Sequence, residues 1–240
     1  CASSPSGEEL NKSNPRPVKF KLYKCHWNPQ TGKNILLSGE NPNAVVLDEH
    51  GEITQRYPHP KNLYGSKWHP SDPNLFVTGC WDGVVRVFEK KHAFPTMALE
   101  GHQSRVFNCE WSPIHDHIIA SGSDDMTIRV WDTNLKAAVH VLRGHTDKVR
   151  AITWCKELPF LLFSGSWDST IRLWNTADED CLLVIEEHHA DVYTIATSKA
   201  HPFQMVSSSR DSTMRIWNLV GRLKWQLIGS FLTGAFGDRT

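Results

Sequence analysis

The chain has 240 residues, 40% of them hydrophobic, and its 26 Lys+Arg balance 26 Asp+Glu to a formal net charge of zero. That length suits one large all-β domain or two small ones, burying roughly 70 to 75% of the surface an unfolded chain exposes. The even charge argues against a strong steering field and against a nucleic-acid partner, while ten tryptophans, several times the usual share, require a structural reason.

Residues 1–14 (CASSPSGEELNKSN) are polar and predict a flexible arm. The run through Pro17 lacks the apolar centre of a secretory signal, and no apolar stretch approaches the roughly 18 residues of a membrane span. A start at Cys rather than Met reads as a fragment or a processed product. The six cysteines, at 1, 25, 80, 109, 155 and 181, sit in apolar, strand-like surroundings without a Cys-x-x-Cys pair. They read as buried reduced thiols in the cytoplasm or nucleus, with no disulfide framework, no metal and no cofactor.

From residue 15 onward the chain repeats itself. His59, His102, His145 and His188 are spaced 43 residues apart, and Asp82, Asp125, Asp168 and Asp211 keep the same interval. So do Thr78, Ser121, Ser164 and Ser207; Arg86, Arg129, Arg172 and Arg215; and Phe88, Trp131, Trp174 and Trp217. The units are 15–57, 58–100, 101–143, 144–186 and 187–229, followed by a tail at 230–240 that leaves the repeat. The first is degenerate: aligned on Leu22, Trp27 and Gly39, it has Val18 in the His column, Pro42 in the Asp column and Leu47 or Asp48 in the Trp column. In the second, Phe88 replaces Trp, and the short run Lys90, Lys91, His92 reads as a solvated loop. Unit 101–143 shows the texture most clearly: Val106 to Trp111, Ile118 to Ser123, a tight turn at Asp124-Asp125, Thr127 to Trp131, then Ala138 to Leu142. Four strands of about five residues, with no helical period, make one antiparallel sheet per unit. Stacking such sheets radially buries both faces of each, which predicts an all-β propeller of five four-stranded blades.

Gly101-His102 leading to Trp131-Asp132, Gly144-His145 to Trp174-Asn175, and His188 to Trp217-Asn218 resemble the WD40-repeat β-propeller family over about residues 15–229. The stretch from Gly165 to Thr176, with His189 to Tyr193 and Ser209 to Thr213, resembles one member of that family more narrowly. The family usually closes with seven blades, so the resemblance implies that these five are part of a larger ring, since open sheet edges invite aggregation.

His, Ser and Asp in each unit suggest a hydrolytic triad, but a catalytic triad is needed once and this one recurs. The resemblance implies structural tetrads instead: His102, Ser121, Asp125 and Trp131; His145, Ser164, Asp168 and Trp174; His188, Ser207, Asp211 and Trp217; and His59, Thr78 and Asp82, incomplete because Phe88 has no N–H. No catalytic residue is predicted. Trp27, Trp68, Trp111 and Trp154, a column in which the fifth unit has Thr197, read as core, and Trp225 falls in the last outer strand. The Arg column reads as packing beside the tetrad Trp.

In a propeller, the turn between the second and third strands and the start of the first strand open onto one face. The residue before each tetrad Asp is Trp81, Asp124, Trp167 or Arg210, and the first-strand column facing the channel mouth is Tyr23, Tyr64, Phe107, Arg150 and Tyr193. The family places binding hot spots at both columns, and these are side chains that dominate interfaces. The expected function is a non-enzymatic scaffold holding a peptide or protein on this face, a role open to a subunit of a larger complex, with no membrane association. The alternative is recognition of single-stranded RNA or a nucleotide base by stacking on the same aromatics. The Arg that marks cullin-ligase receptors in this family is absent: Asn134 and Ala177 stand there.

Overall fold

The computed structural model describes residues 20–219 apart from 157, 159, 199, 200, 202 and 203. The predicted arm, the tail, Val18 and Trp225 lie outside these residues. Among the described residues every regular element is a strand, and the strands form five antiparallel meanders. The first comprises β1 (Leu22–Trp27), β2 (Ile35–Gly39), β3 (Asn43–Leu47) and β4 (Ile53–Pro58); the second β5 (Leu63–Trp68), β6 (Leu75–Cys80), β7 (Val85–Glu89) and β8 (Met97–Leu99). The third contains β9 (Val106–Trp111), β10 (Ile118–Ser123), β11 (Ile128–Asp132) and β12 (Ala137–Leu142), and the fourth β13 (Val149–Trp154), β14 (Leu161–Ser166), β15 (Ile171–Asn175) and β16 (Asp180–Ile185). The fifth has β17 (Val192–Thr197), β18 (Gln204–Ser209) and β19 (Met214–Asn218); a fourth strand there would fall beyond the described residues.

The first strand of each sheet packs beside the first strand of the next, β1 on β5, β5 on β9, β9 on β13 and β13 on β17. These are the inner strands of a propeller. The core therefore lies between sheets, in four separate layers. Side chains alternate along a strand, so neighbouring residues serve different layers. Phe76 packs toward the first sheet and Val77 toward the third; Ile119 and Ala120, then Leu162 and Phe163, divide in the same way. This explains why the second strands of the second, third and fourth sheets are buried along nearly their whole length although they carry Ser, Thr and Gly.

The inner-strand tryptophans seal each layer. Trp68 and Trp154 are buried against the preceding sheet and donate their indole N–H to the carbonyls of His26 (3.1 Å) and Glu110 (3.2 Å). Trp111 is buried edge-on to His69, with ring centroids 4.5 Å apart. A buried indole removes roughly 150 to 250 Å² from water, about 4 to 6 kcal/mol of transfer free energy. Trp27 departs from the predicted core role: it is 53% exposed, because β1 has no preceding sheet to cover it among the described residues. The cysteines depart too. Cys80, Cys109 and Cys155 are buried free thiols, but Cys25 and Cys181 are exposed. Lys90 is not simply solvated, since its ammonium donates to Asn34 Oδ1 at 2.6 Å and ties the second sheet to the first.

Candidate functional site

The outer rim of the site is fixed by hydrogen-bonded networks in the third, fourth and fifth sheets. In the third, His102 Nδ1 lies 2.7 Å from Asp125 Oδ2 and its Nε2 2.7 Å from Ser121 Oγ, and Trp131 Nε1 donates to the same Oγ at 2.8 Å. A carboxylate can only accept, so Nδ1 carries the proton, the serine hydroxyl donates to Nε2, and its oxygen receives the indole N–H. His145, Asp168, Ser164 and Trp174 repeat this at 2.8, 2.7 and 2.8 Å, as do His188, Asp211, Ser207 and Trp217. Thr127, Thr170 and Thr213 add hydroxyl donors to the Asp carboxylates at 2.6 to 2.8 Å. Burial opposes the charged form of Asp125, but hydrogen bonds from His102, Thr127 and the Gln103 amide outweigh it and hold the carboxyl well below the usual range. Asp168 behaves alike through His145, the Thr146 amide and Thr170. Ser121 and Ser164 are wholly buried and Ser207 nearly so, leaving no path for a substrate to a serine nucleophile.

The second sheet corrects the sequence reading. His59 and Thr78 are joined at 2.9 Å, but Asp82 is not in their network: His59 Nδ1 donates instead to the Tyr57 carbonyl at 2.8 Å. Two local changes account for this. In the third and fourth sheets Arg129 and Arg172 lie against Trp131 and Trp174, over Gly101 and Gly144, where a Cβ would meet the guanidinium at 2.7 and 2.8 Å. The second unit has Pro58 in that column, so the seat is filled, and Arg86 turns inward to grip both oxygens of Asp82 at 3.1 and 2.7 Å. Val84 stands where the third, fourth and fifth sheets have Thr127, Thr170 and Thr213, and it brings no hydroxyl. In the fifth unit the column is Glu187, and Arg215 sits 3.8 Å from it. In the first sheet Ser38 takes the hydroxyl column and donates to the Tyr64 carbonyl at 3.1 Å.

The inner rim is built by bulges. In every sheet the pairing of the first and second strands shifts at one place, leaving Tyr23, Tyr64, Phe107, Arg150 or Tyr193 as the extra, unpaired residue. A bulge re-aims its side chain, and here it turns each one toward the mouth of the ring. The second column is anchored by the loop entering each sheet: the amides of Trp81, Asp124, Trp167 and Arg210 donate to the carbonyls of Asn62, Arg105, Lys148 and Asp191 at 2.9 to 3.0 Å.

Seven of the nine predicted residues form one cluster. Tyr23 stacks on Tyr64 with centroids 4.1 Å apart and planes within 3°, Tyr64 meets Phe107 at 4.1 Å, and it lies 6.0 Å from Trp81. The Arg150 guanidinium is wedged between Phe107 (3.0 Å) and Trp167 (4.1 Å), with Nη2 3.4 Å from Asp124 Oδ1. Such desolvated cation–π contacts contribute about 2 kcal/mol. Burial lowers the Arg150 pKa and raises that of Asp124, each opposed by the charge of the other. The two columns differ in role from the sequence reading in three places. Phe107 is 2% exposed and backs the surface instead of forming it, being covered by Tyr64 and Arg150. Tyr193, 48% exposed, and Arg210, paired with Asp191 at 3.6 Å, stand apart from the cluster on the fifth sheet.

Arg105 and Lys148 belong to the site although the motif columns omit them. The Arg105 guanidinium lies 4.5 Å from the centroid of Trp81, and the Lys148 ammonium 4.3 Å from that of Trp167. They stand 43 residues apart, each three after a tetrad His, which is the signal that could have found them. The indole nitrogens of Trp81 and Trp167, Asp124 Oδ1 and Arg150 Nε are buried without a hydrogen-bond partner among the described residues. Among the described residues no group of three or more His, Cys, Asp or Glu is placed to hold a metal ion, and no helix is long and apolar enough to cross a membrane.

The family model for the WD domain, G-beta repeat, matches residues 51–89, 94–132, 136–175 and 179–218. Each match begins near the outer strand of one sheet and ends near the third strand of the next, so the sequence repeat ties adjacent sheets together. A stretch of 71 residues is 35% identical to Jouberin of Mus musculus, covering 28% of this chain and 7% of that protein, so the match spans a small part of the relative's length.

Proposed function

The chain belongs to the WD40 family, whose repeats are generally protein-interaction scaffolds and typically not enzymes, and from that premise we propose that it holds a peptide or protein partner on the face built by Trp81, Trp167, Tyr23 and Tyr64. Within the family, the runs at Gly165 to Thr176, His189 to Tyr193 and Ser209 to Thr213 resemble WD repeat-containing protein 17. The observation that carries the reading is the pair of half-buried turn tryptophans, each covered by a cation, at a turn position that has no structural need of an aromatic ring. Large flat rings bury much area at little rotamer cost, and the cations beside them can donate to carbonyl or carboxylate oxygens of a partner. Three cations lie on these rings, Arg105 on Trp81 and Lys148 and Arg150 on Trp167, against the single carboxylate of Asp124, which favours an acidic segment.

The reading is tested on peptides selected from a random library against the wild-type chain. The double substitution Trp81→Ala, Trp167→Ala is expected to weaken them at least about tenfold, with melting lowered by the lost cation–π contacts but the chain still folded at the assay temperature. Retained binding with an intact fold contradicts the proposal. Base stacking on RNA is the weaker reading, because the ring faces of Tyr23, Tyr64 and Phe107 are already occupied by one another and by Arg150. Anisotropy titration with a short single-stranded oligouridine at low salt should show no binding.

We also propose that further sheets extend the ring. What supports this is apolar exposure on both end faces: Trp27 on the first sheet, and Met214 and Ile216 on the fifth, the latter 75% exposed. A shallow depression lined by Ala196, Met205, Val206 and Ile216 lies on that fifth-sheet face. A cytoplasmic or nuclear setting is proposed from the free thiols.

A further inference from the structure

On the opposite end of the ring from the tryptophan turns, a cavity of about 170 Å³ opens between the third and fourth sheets. Its lining includes Ile118, Val130 and Trp154, the rings of His115 and Phe160, and the exposed Ala177. Phe160 is held against two local preferences. Its φ is +63°, a left-handed conformation that costs a bulky residue about 1 to 3 kcal/mol, and its ring is 43% exposed. The other left-handed residues lie in tight turns with counterparts in neighbouring units, but the residues equivalent to Phe160, Asn74 and His117, are not left-handed. Thr176 locks it, donating both its amide (2.8 Å) and its hydroxyl (3.0 Å) to the Phe160 carbonyl.

The strained ring is laid over His115, with centroids 5.0 Å apart and planes 29° off parallel. His115 Nε2 is buried and has no hydrogen-bond partner among the described residues. Trp154 offers only ring carbons, since its N–H is engaged by Glu110. His140, which lines the cavity, has Nδ1 3.2 Å from Oε1 of Glu179, so a half-exposed carboxylate stands beside the lining. Ile114, next to His115 in the chain, is exposed as well.

We propose that this cavity is a second docking site, for one apolar side chain of a partner peptide. Such a cavity is far below the roughly 300 to 1,000 Å³ of a drug-sized pocket, but an apolar void of ~150 Å³ accepts a benzene ring. The anchor packs on the rings of Trp154, Phe160 and His115, and a Lys or Arg next to it in the peptide meets Glu179. The site is separate from the tryptophan face and does not rest on it.

The test uses N-acetyl-phenylalaninamide, N-acetyl-Arg-Phe-amide and N-acetyl-Glu-Phe-amide as probes, followed through the histidine side-chain ¹⁵N signals of the protein. Saturable shifts at His115 and His140 are expected, with dissociation constants on the order of a millimolar. The Arg-containing probe should bind several-fold more tightly than the Glu-containing one, a difference that Glu179→Gln removes. Ala177→Phe, a surface substitution at the lip, should weaken all three at least about tenfold without lowering the melting temperature. Phe160→Gly should also abolish binding while relieving the backbone, so melting stays level or rises. Trp81→Ala, Trp167→Ala should leave these shifts unchanged. The proposal is overturned if no saturable shift appears at His115, if Ala177→Phe binds like wild type, or if Phe160→Gly melts earlier and still binds.

Discussion

Four hydrogen bonds converge on the carboxylate of Asp125, from His102, the Gln103 amide, and the amide and hydroxyl of Thr127. Replacing it by Asn removes the charge that these donors share, and Asp125→Asn is expected to cost roughly 2 to 3 kcal/mol in urea unfolding. Trp131→Phe, which leaves Ser121 without its indole donor as Phe88 leaves Thr78, should cost less, about 1 kcal/mol beyond packing. The histidines give a separate pH signature. Burial lowers the pKa of His59 and of His26 to about 4, and His26 Nδ1 accepts the Trp68 amide at 3.2 Å, which requires it unprotonated. The unfolded chain therefore takes up protons first, near pH 6.5. Stability is full above about pH 6.5 and falls as pH drops toward 4, by up to roughly 3 kcal/mol for the buried His59. Asp125 and Asp168 act later: their stabilisation is present above about pH 3.9 and is lost below it. Melting temperature followed from pH 7 to 3 should show both ranges, and His59→Gln should flatten only the upper one. The tetrads of the last three sheets were legible because one spacing repeats in every column. The fate of Asp82 was not, because it depends on two residues outside the columns, Pro58 and Val84, which decide where Arg86 turns.

At the scale of the element, the inner strand has two tasks: it packs against its neighbour and aims one side chain at the mouth. Glycine makes the first possible in the second sheet. A Cβ on Gly65 would stand 2.9 Å from the Phe107 carbonyl and 3.0 Å from Asn108 Cα, both backbone atoms of β9. The same absence of a side chain lets Lys24 cross from β1 to Asn108 Oδ1 at 2.8 Å, where burial and the nearby Lys67 lower its pKa to about 8. Gly65→Ala is expected to destabilise by roughly 2 to 4 kcal/mol, measured by urea unfolding, because no flexible side chain can give way. The bulge performs the second task. Its column was visible in the sequence as Tyr23, Tyr64, Phe107, Arg150 and Tyr193, but burial was not, since whether a ring faces solvent depends on its neighbours across sheets. Phe107 lies under Tyr64 and Arg150, whereas Tyr193 has no ring partner of that kind among the described residues.

Across the whole molecule, five sheets form an arc with cores between them and one end crowded with aromatic and cationic side chains. The period announced the sheets and their order, because each strand alternates apolar residues toward two neighbours. The exposure of Trp27 was hidden from it: the same Trp that seals a layer in the second, third and fourth sheets stands bare where no preceding sheet is described. The account rests most heavily on the tryptophan end being the face that meets a partner. Hydrogen–deuterium exchange of the chain with and without a peptide selected on the wild type tests this directly. Protection is predicted at the loops and turns around Asn62 to Tyr64, Trp81, Arg105 to Phe107, Lys148 to Arg150 and Trp167, and should vanish in Trp81→Ala, Trp167→Ala. Protection confined to the His115 and Phe160 loops, or to the outer strands, would contradict it.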